Sequence, residues 1–209
     1  MYCCFGKRLI DIVLSFLGLV ILSPVYLILI IAIKLSSKGP VLFKQTRAGI
    51  HKTHFKILKF RTMKVDTPSD IPTHMLENPE QWITDIGKFM RKTSLDELPQ
   101  IWNIFVGQMS IIGPRPALWN QYDLIEERDR YGANDIYPGL TGLAQISGRD
   151  ELPIDEKAKL DGEYVEKVSF GMDVKCFFGT ILSVLKSDGI AEGGNGCLEK
   201  TEGKEAANR

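Results

Sequence analysis

The stretch IVLSFLGLVILSPVYLILIIAI, Ile12 to Ile33, is almost wholly apolar and carries Ser23-Pro24 at its midpoint. As one helix at about 1.5 Å per residue it would reach across a hydrocarbon core of about 30 Å, so a single transmembrane helix is the simplest reading. Two features oppose it. Pro24 has no amide hydrogen and its ring clashes with the carbonyl four residues earlier, which kinks a helix there. Basic residues flank both ends, Lys7 and Arg8 before and Lys34 and Lys38 after. Cytoplasmic flanks are enriched in Lys and Arg, so two basic ends are most simply explained on one side of a membrane. The Ser23 hydroxyl can bond a carbonyl in the preceding turn and relieve part of the cost of a break in lipid. Each half, of roughly 10 residues, reaches only about half of the core. The pattern predicts a re-entrant helix-break-helix, broken at Ser23 and Pro24, in preference to a kinked span. Either places the rest of the chain in the cytoplasm. A cleaved signal peptide is disfavoured, because no small-residue cleavage site follows and the next residues stay basic.

With 209 residues, the chain accommodates one compact domain and a membrane element. The division expected is a membrane segment with basic flanks over 1–38, a catalytic domain over 39–189 and a polar, disordered tail over 190–209. A formal net charge of zero hides an asymmetry. No acidic residue lies between Asp11 and Asp66, while Lys34, Lys38, Lys44, Arg47, Lys52, Lys56, Lys59, Arg61 and Lys64 all do. That half is built to meet anions; nucleic acid is not among the partners expected. Cys3, Cys4, Cys176 and Cys197 show no CxxC or Cys/His metal spacing and read as reduced thiols. His51, His54 and His74 form no HExxH pair and read as surface residues.

The fold class predicted for the body is α+β. VLFKQTR (Val41 to Arg47), a turn at Ala48-Gly49-Ile50 and HFKILKFRTM (His54 to Met63) read as a β-hairpin. Val65 to Glu80 reads as a loop. Helices are predicted over Trp82 to Lys92, Leu98 to Val106 with a left-handed stop at Gly107, and Leu118 to Tyr131. Met109 to Ile112 is a strand candidate and Pro138 to Arg149 a glycine-punctuated loop. Met172 to Lys186 spreads Val174, Phe177, Phe178, Ile181, Leu182 and Leu185 over a broad apolar surface, favouring an amphipathic helix at a membrane interface over one in the core.

The segment TSLDELPQ, Thr93 to Gln100, sets Asp96 and Glu97 side by side. Ser94-x-x-Glu97 fits a capping box, in which the carboxylates only start a helix. Pro99 weakens that reading, since it would fall just past the first turn, where its ring and missing amide cost energy. Pro99 suits the first helical position, which leaves Asp96 and Glu97 in a turn ahead of the helix. There the helix dipole favours both carboxylates and bound phosphate. Two carboxylates meeting a diphosphate need a cationic bridge, and oxygen ligands with phosphate point to Mg²⁺, with Asp96 and Glu97 as its ligands.

Several blocks stand in one order: KRLIDIVLS from Lys7, the Ser-Pro of the apolar run, KFRTM (Lys59 to Met63), SLDELPQ, GQMSIIGPRP (Gly107 to Pro116) and PGLTGLAQISGR (Pro138 to Arg149). From Lys7 to about Gly189 the chain resembles the bacterial sugar transferase family, the small monotopic phosphoglycosyl transferases. The resemblance implies an enzyme of the bacterial inner membrane, its catalytic domain facing the cytoplasm. It would transfer a sugar-1-phosphate from a UDP-sugar to undecaprenyl phosphate and release UMP, at the start of glycan assembly and ahead of downstream glycosyltransferases. It implies Asp96 as a nucleophile forming a covalent phosphosugar aspartate in a ping-pong sequence, and Glu97 as partner, positioning or deprotonating incoming groups and arranging Mg²⁺. DELPIDEKAKLD (Asp150 to Asp161) resembles members that use N-acetylated amino sugars.

Arg115, between Pro114 and Pro116, is held at low entropic cost, which suits a phosphate clamp as well as a rigid surface turn. Arg149 follows Gly139, Gly142 and Gly148, which let backbone approach a ligand, and Gln145 offers an amide for recognition. Lys59, Arg61 and Arg91 are further candidates for substrate contact, Arg91 first because it lies nearest Asp96. No GxGxxG or P-loop lysine motif is present. A membrane glycosyltransferase that releases UDP, and an inactive membrane adaptor, are the competing readings.

Overall fold

Helix α1, Lys7–Ile21, and helix α2, Ser23–Ser36, meet with a bend of 59° at Leu22 in the computed structural model, which describes residues 2–67, 81–148 and 152–186. At the bend the Ser23 hydroxyl donates to Val20 O at 2.7 Å, and Pro24 lies in the first turn of α2, where its missing amide costs nothing. The arms hold 15 and 14 residues, more than the sequence reading allowed. Each spans about 22 Å at 1.5 Å per residue. Among the described residues no single helix is long and apolar enough to cross a membrane, and the bent pair passes that test only together.

α1 exposes Leu9, Val13, Phe16 and Val20 and buries Asp11 and Ser15. The buried edge is the docking edge. Asp11 accepts from Ser110 Oγ at 2.7 Å and from Ile111 N at 3.0 Å, both in strand β3, Ser110–Ile112. Lys7 and Arg8, expected to flank a membrane segment, are turned into the protein instead. Lys7 Nζ lies 2.6 Å from Asp173 Oδ2, and Arg8 donates to Ile104 O and Phe105 O at 2.8 and 3.0 Å. Those carbonyls end helix α4, Gln100–Phe105; Ile104 O also accepts from Gly107 N at 3.1 Å, and the guanidinium adds donors and a positive charge at the negative end of the helix dipole. The basic-flank argument for topology therefore keeps only its C-terminal half.

The hairpin forms as expected. β1, Leu42–Ala48, pairs antiparallel with β2, His54–Phe60, Leu42 opposite Phe60 and Ala48 opposite His54. β2 stops before the predicted Met63. Helix α3, Asp85–Lys92, starts later than predicted, because Thr84 caps it by accepting from Gly87 N at 3.0 Å while Ile83 bridges to Met63. Gly107 stops α4 at φ +89°.

The region expected to be a loop over Pro138 to Arg149 contains strand β4, Gly139–Thr141, parallel to β3, and the short helix α6, Leu143–Ser147. Helix α5, Tyr122–Asp129, is shorter than predicted because Leu118 bridges to Arg47. Helix α7, Ile154–Glu166, was not anticipated; it buries Asp161 against Arg128 of α5, Nη2 to Oδ2 2.6 Å. Helix α8, Phe170–Lys186, agrees with the predicted helix; it buries Asp173 and Cys176 and exposes Phe177, Phe178 and Leu182. Leu29, Ile33, Phe60 and Met90 pack α2 on β2 and α3, and Ile57, Ile104 and Met109 close the seam between β2 and α4. Arg149, His74, Cys197, most of the loop predicted over 65–80 and the tail over 190–209 lie outside the described residues.

Asp11→Ala leaves the Ser110 hydroxyl and Ile111 amide without their acceptor, and is expected to cost about 2–4 kcal/mol. Thermal unfolding in detergent checks this: the midpoint falls, whereas one equal to the parent's would mean that α1 docks by its apolar contacts alone.

Candidate active site

The turn carrying Asp96 and Glu97 is fixed from both sides. Ser94 adopts a left-handed conformation, φ 55°, and its side chain makes no capping bond, so the capping box does not form. Leu95–Glu97 make a single 3₁₀ turn, Leu98 and Pro99 continue right-handed, and α4 begins at Gln100. The dyad thus lies ahead of the helix, where Pro99 was expected to leave it. Leu95 and Leu98 pack into the cluster of Leu29 and Met90, and the Tyr26 hydroxyl donates to Leu98 O at 2.6 Å. The turn is bonded directly to the second arm of the apolar hairpin.

The two carboxylates have opposite surroundings. Both oxygens of Glu97 are taken. Arg115 bonds it with both terminal nitrogens, Nη1 to Oε2 at 3.3 Å and Nη2 to Oε1, and Lys59 Nζ donates to Oε1 at 2.8 Å. Burial opposes ionisation of Glu97, but the charges of Arg115 and Lys59 and their hydrogen bonds outweigh it and hold the carboxyl well below the usual range. Asp96 is 9% exposed, and among the described residues its carboxylate has no hydrogen-bond partner. Burial raises its pKa from 3.8; the positive charges of Lys59, Arg91 and Arg115 pull the other way, and adjacent Glu97 adds to the rise.

Each cation has its own support. Lys59 projects from β2. Arg91, on α3, donates from Nε to Thr62 Oγ1 at 3.0 Å while its charge acts on Asp96. Arg115 follows β3 in the GPRP loop, which is stitched to β4 by Gly113 N to Thr141 O and Gly139 N to Pro114 O, both 2.8 Å. A Cβ at Gly139 would stand 2.1 Å from Gly113 N, so only glycine allows the two loops this close. Arg47 secures the same loop through Pro116 O at 3.1 Å.

The other candidates fare differently. Arg61, expected to contact substrate, is buried and donates to Ser37 O at 2.9 Å and Lys38 O at 2.6 Å, closing the exit of α2. Its guanidinium is committed to backbone carbonyls, and its role here is structural. Gln145, half-buried on α6, has both amide atoms buried and neither hydrogen-bonded among the described residues; no hydrogen bond among them ties it to the dyad. As oxygen donors for Mg²⁺, the unpartnered Asp96 fits, while Glu97 as arranged does not, because cations already occupy both its oxygens. Among the described residues no group of three or more His, Cys, Asp or Glu is gathered to hold an ion. Sequence reasoning overlooked Tyr26, although a phenol within an apolar run signals a buried partner. It also overlooked Gln100, which nothing local marks.

Glu97 has a lowered folded-state pKa, so its contribution to stability is complete above its unfolded value of about 4.5 and is lost as pH falls through the folded one. Glu97→Gln is expected to cost about 1–3 kcal/mol at pH 7. Thermal midpoints followed from pH 7 to pH 3 should show the parent's advantage shrinking below pH 4.5; a difference independent of pH would count against an ionised Glu97.

The sequence profile described as "Bacterial sugar transferase" matches residues 2–187. A UDP-glucose:undecaprenyl-phosphate glucose-1-phosphate transferase of Escherichia coli K12 is 42% identical over 183 residues, 84% of this chain and 39% of its own length. The uncharacterized sugar transferase EpsL of Bacillus subtilis is 36% identical over 94% of this chain and 96% of its own length. The galactosyl transferase CpsE of Streptococcus agalactiae is 37% identical over 88% and 43%. The chain spans about two fifths of the length of the E. coli relative and of a Haemophilus influenzae sugar transferase, 39% and 41%. By the extent of the matched profile, the chain belongs to the bacterial sugar transferase family.

Proposed function

We propose that this chain is a phosphoglycosyl transferase moving a sugar-1-phosphate from a UDP-sugar to undecaprenyl phosphate, with release of UMP. The observation that carries the reading is the contrast within the dyad: Asp96 is buried and unpartnered beside Lys59, Arg91 and Arg115, while Glu97 is spent on two of those cations. An oxygen of Asp96 attacks the sugar-side phosphorus; a P–O bond forms as the bond to the bridging oxygen breaks, and UMP leaves with the electron pair. A phosphate oxygen of the lipid then attacks the same phosphorus and returns the pair to the Asp96 carboxylate. Arg115 and Lys59, pre-set by Glu97, face the negative charge that the phosphoryl group spreads over its oxygens. A carboxylate with a lowered pKa is a weak base, so Glu97 acts by holding cations rather than by deprotonation. Mg²⁺, bound by Asp96 together with diphosphate oxygens, would neutralise charge at the donor.

Direct bonding of the dyad turn to α2 supports delivery of the lipid phosphate along the apolar hairpin. We read that hairpin as re-entrant in the inner membrane, with the exposed apolar face of α8 at its surface and the body in the cytoplasm, where the lipid-linked product passes to downstream glycosyltransferases. For the donor, the resemblance over 150–161 favours an N-acetylated amino sugar, whereas the E. coli relative's name specifies glucose. Part of the 150–161 stretch is structural, since Asp161 pairs with Arg128.

Detergent-purified protein with Mg²⁺, undecaprenyl phosphate and a panel of UDP-sugars is expected to release UMP, and Asp96→Asn to abolish it with the thermal midpoint nearly unchanged. Turnover retained in Asp96→Asn would remove the covalent aspartate, and UDP as product would make the enzyme a glycosyltransferase. A cysteine placed at position 2 or 5, with Cys3 and Cys4 replaced, should label only from the cytoplasm; labelling from the periplasm would mean a full span.

A further inference from the structure

The seam between α4 and β2 carries a row of polar side chains with one left over. At one end Asn103 is fully used: Oδ1 accepts from Leu58 N at 3.0 Å, and Nδ2 donates to Lys56 O at 2.9 Å and Gln108 Oε1 at 2.7 Å. At the other end Lys59 meets Glu97. Between them stands Gln100, three residues before Asn103 and so on the same side of α4. It is 0% exposed, and neither its amide oxygen nor its amide nitrogen has a hydrogen-bond partner among the described residues. Buried polar groups are nearly always paired, and an apolar side chain of equal length would fill the space without the penalty. The amide needs a partner that this arrangement does not yet supply.

Asp96 is that partner by position and chemistry. It lies four residues before Gln100, and Leu98 and Pro99 between them are both right-handed, which keeps the two residues within little more than one turn of each other. Gln100 is a buried donor without an acceptor, and the carboxylate of Asp96, a residue 9% exposed, has no hydrogen-bond donor among the described residues. The neighbouring carboxylate of Glu97 already accepts from Arg115 and Lys59, so Asp96 has the more free acceptor capacity of the two.

We propose that Gln100 is a positioning residue for Asp96, its Nε2 donating to one carboxylate oxygen and leaving the other aimed at the donor phosphorus. The inference rests on Asp96 being the nucleophile. When the free oxygen attacks, the oxygen held by Gln100 becomes the carbonyl oxygen of the acyl phosphate and still accepts from the same N–H. When the lipid phosphate displaces the aspartate, the carboxylate re-forms on the same hydrogen bond.

The test is the burst of UMP on rapid mixing with UDP-sugar in the absence of lipid, its amplitude counting competent sites so that the rate constant does not depend on how much protein folds. Gln100→Met keeps the length and removes both polar atoms. Its burst rate constant should fall about 10–100-fold, with KM for the UDP-sugar and the thermal midpoint both unchanged. Gln100→Glu, which keeps the shape but replaces the donor nitrogen, should lose the burst rate as well. A parental burst rate in Gln100→Met overturns the proposal; so does a parallel loss of KM and midpoint, which would make Gln100 structural. Asp96→Asn separates this from the parent reading: UMP released by that variant removes the nucleophile itself, while an inactive Asp96→Asn beside a normal Gln100→Met removes only the role of Gln100.

Discussion

A single carboxylate within an apolar helix fixes the geometry of the molecule. Asp11 holds α1 against β3 through Ser110 and Ile111, and the loop that leaves β3 delivers Arg115 to Glu97. One helical turn earlier Arg8 takes the last carbonyls of α4, whose first residue follows the dyad turn. Lys7 pairs with Asp173, and the other oxygen of Asp173 accepts from Tyr164, so α1 is also tied to α7 and α8. The apolar hairpin and the turn carrying Asp96 and Glu97 therefore share one set of anchors. Because these bonds lie in the packed interior, they are shielded from the competition with water that weakens surface pairs.

From there the electrostatics follow. Adjacent carboxylates in similar surroundings would titrate alike; here one is surrounded by donors and the other is not. Divergent environments of this kind assign different work to chemically similar groups. Glu97 spends its charge on Arg115 and Lys59 and so keeps two flexible cations in place. Asp96 is left without a hydrogen-bond donor among the described residues. The left-handed Ser94 next to it is backbone strain at the point where the chain must reverse from α3 into the dyad turn. Such strain persists only where surrounding structure over-determines it, as packing of Leu95 and Leu98 does here.

Much of this was local and hence legible in the chain. Pro24 broke the apolar run because proline conflicts with a helix interior and is tolerated only in a first turn, where it stands in α2. Pro99 kept the dyad out of α4, Gly107 stopped that helix, and the β-rich run from Val41 folded as a hairpin, all through preferences that act over a few residues. Asp96, Glu97, Lys59, Arg91 and Arg115 were named from motif and charge, and the structure brings them together.

What sequence could not decide were the roles set by pairing between distant segments. Arg61 looked like a phosphate ligand and closes the exit of α2; Lys7 and Arg8 looked like a membrane flank and anchor α1 inside the protein. β4 was hidden in a glycine-rich stretch because its partner, β3, lies some thirty residues earlier and glycine carries no strand signal of its own. A charged side chain has the same composition whether it meets lipid, substrate or a helix end. Only the tertiary structure, by bringing an unpaired carbonyl or carboxylate within reach, chooses among them.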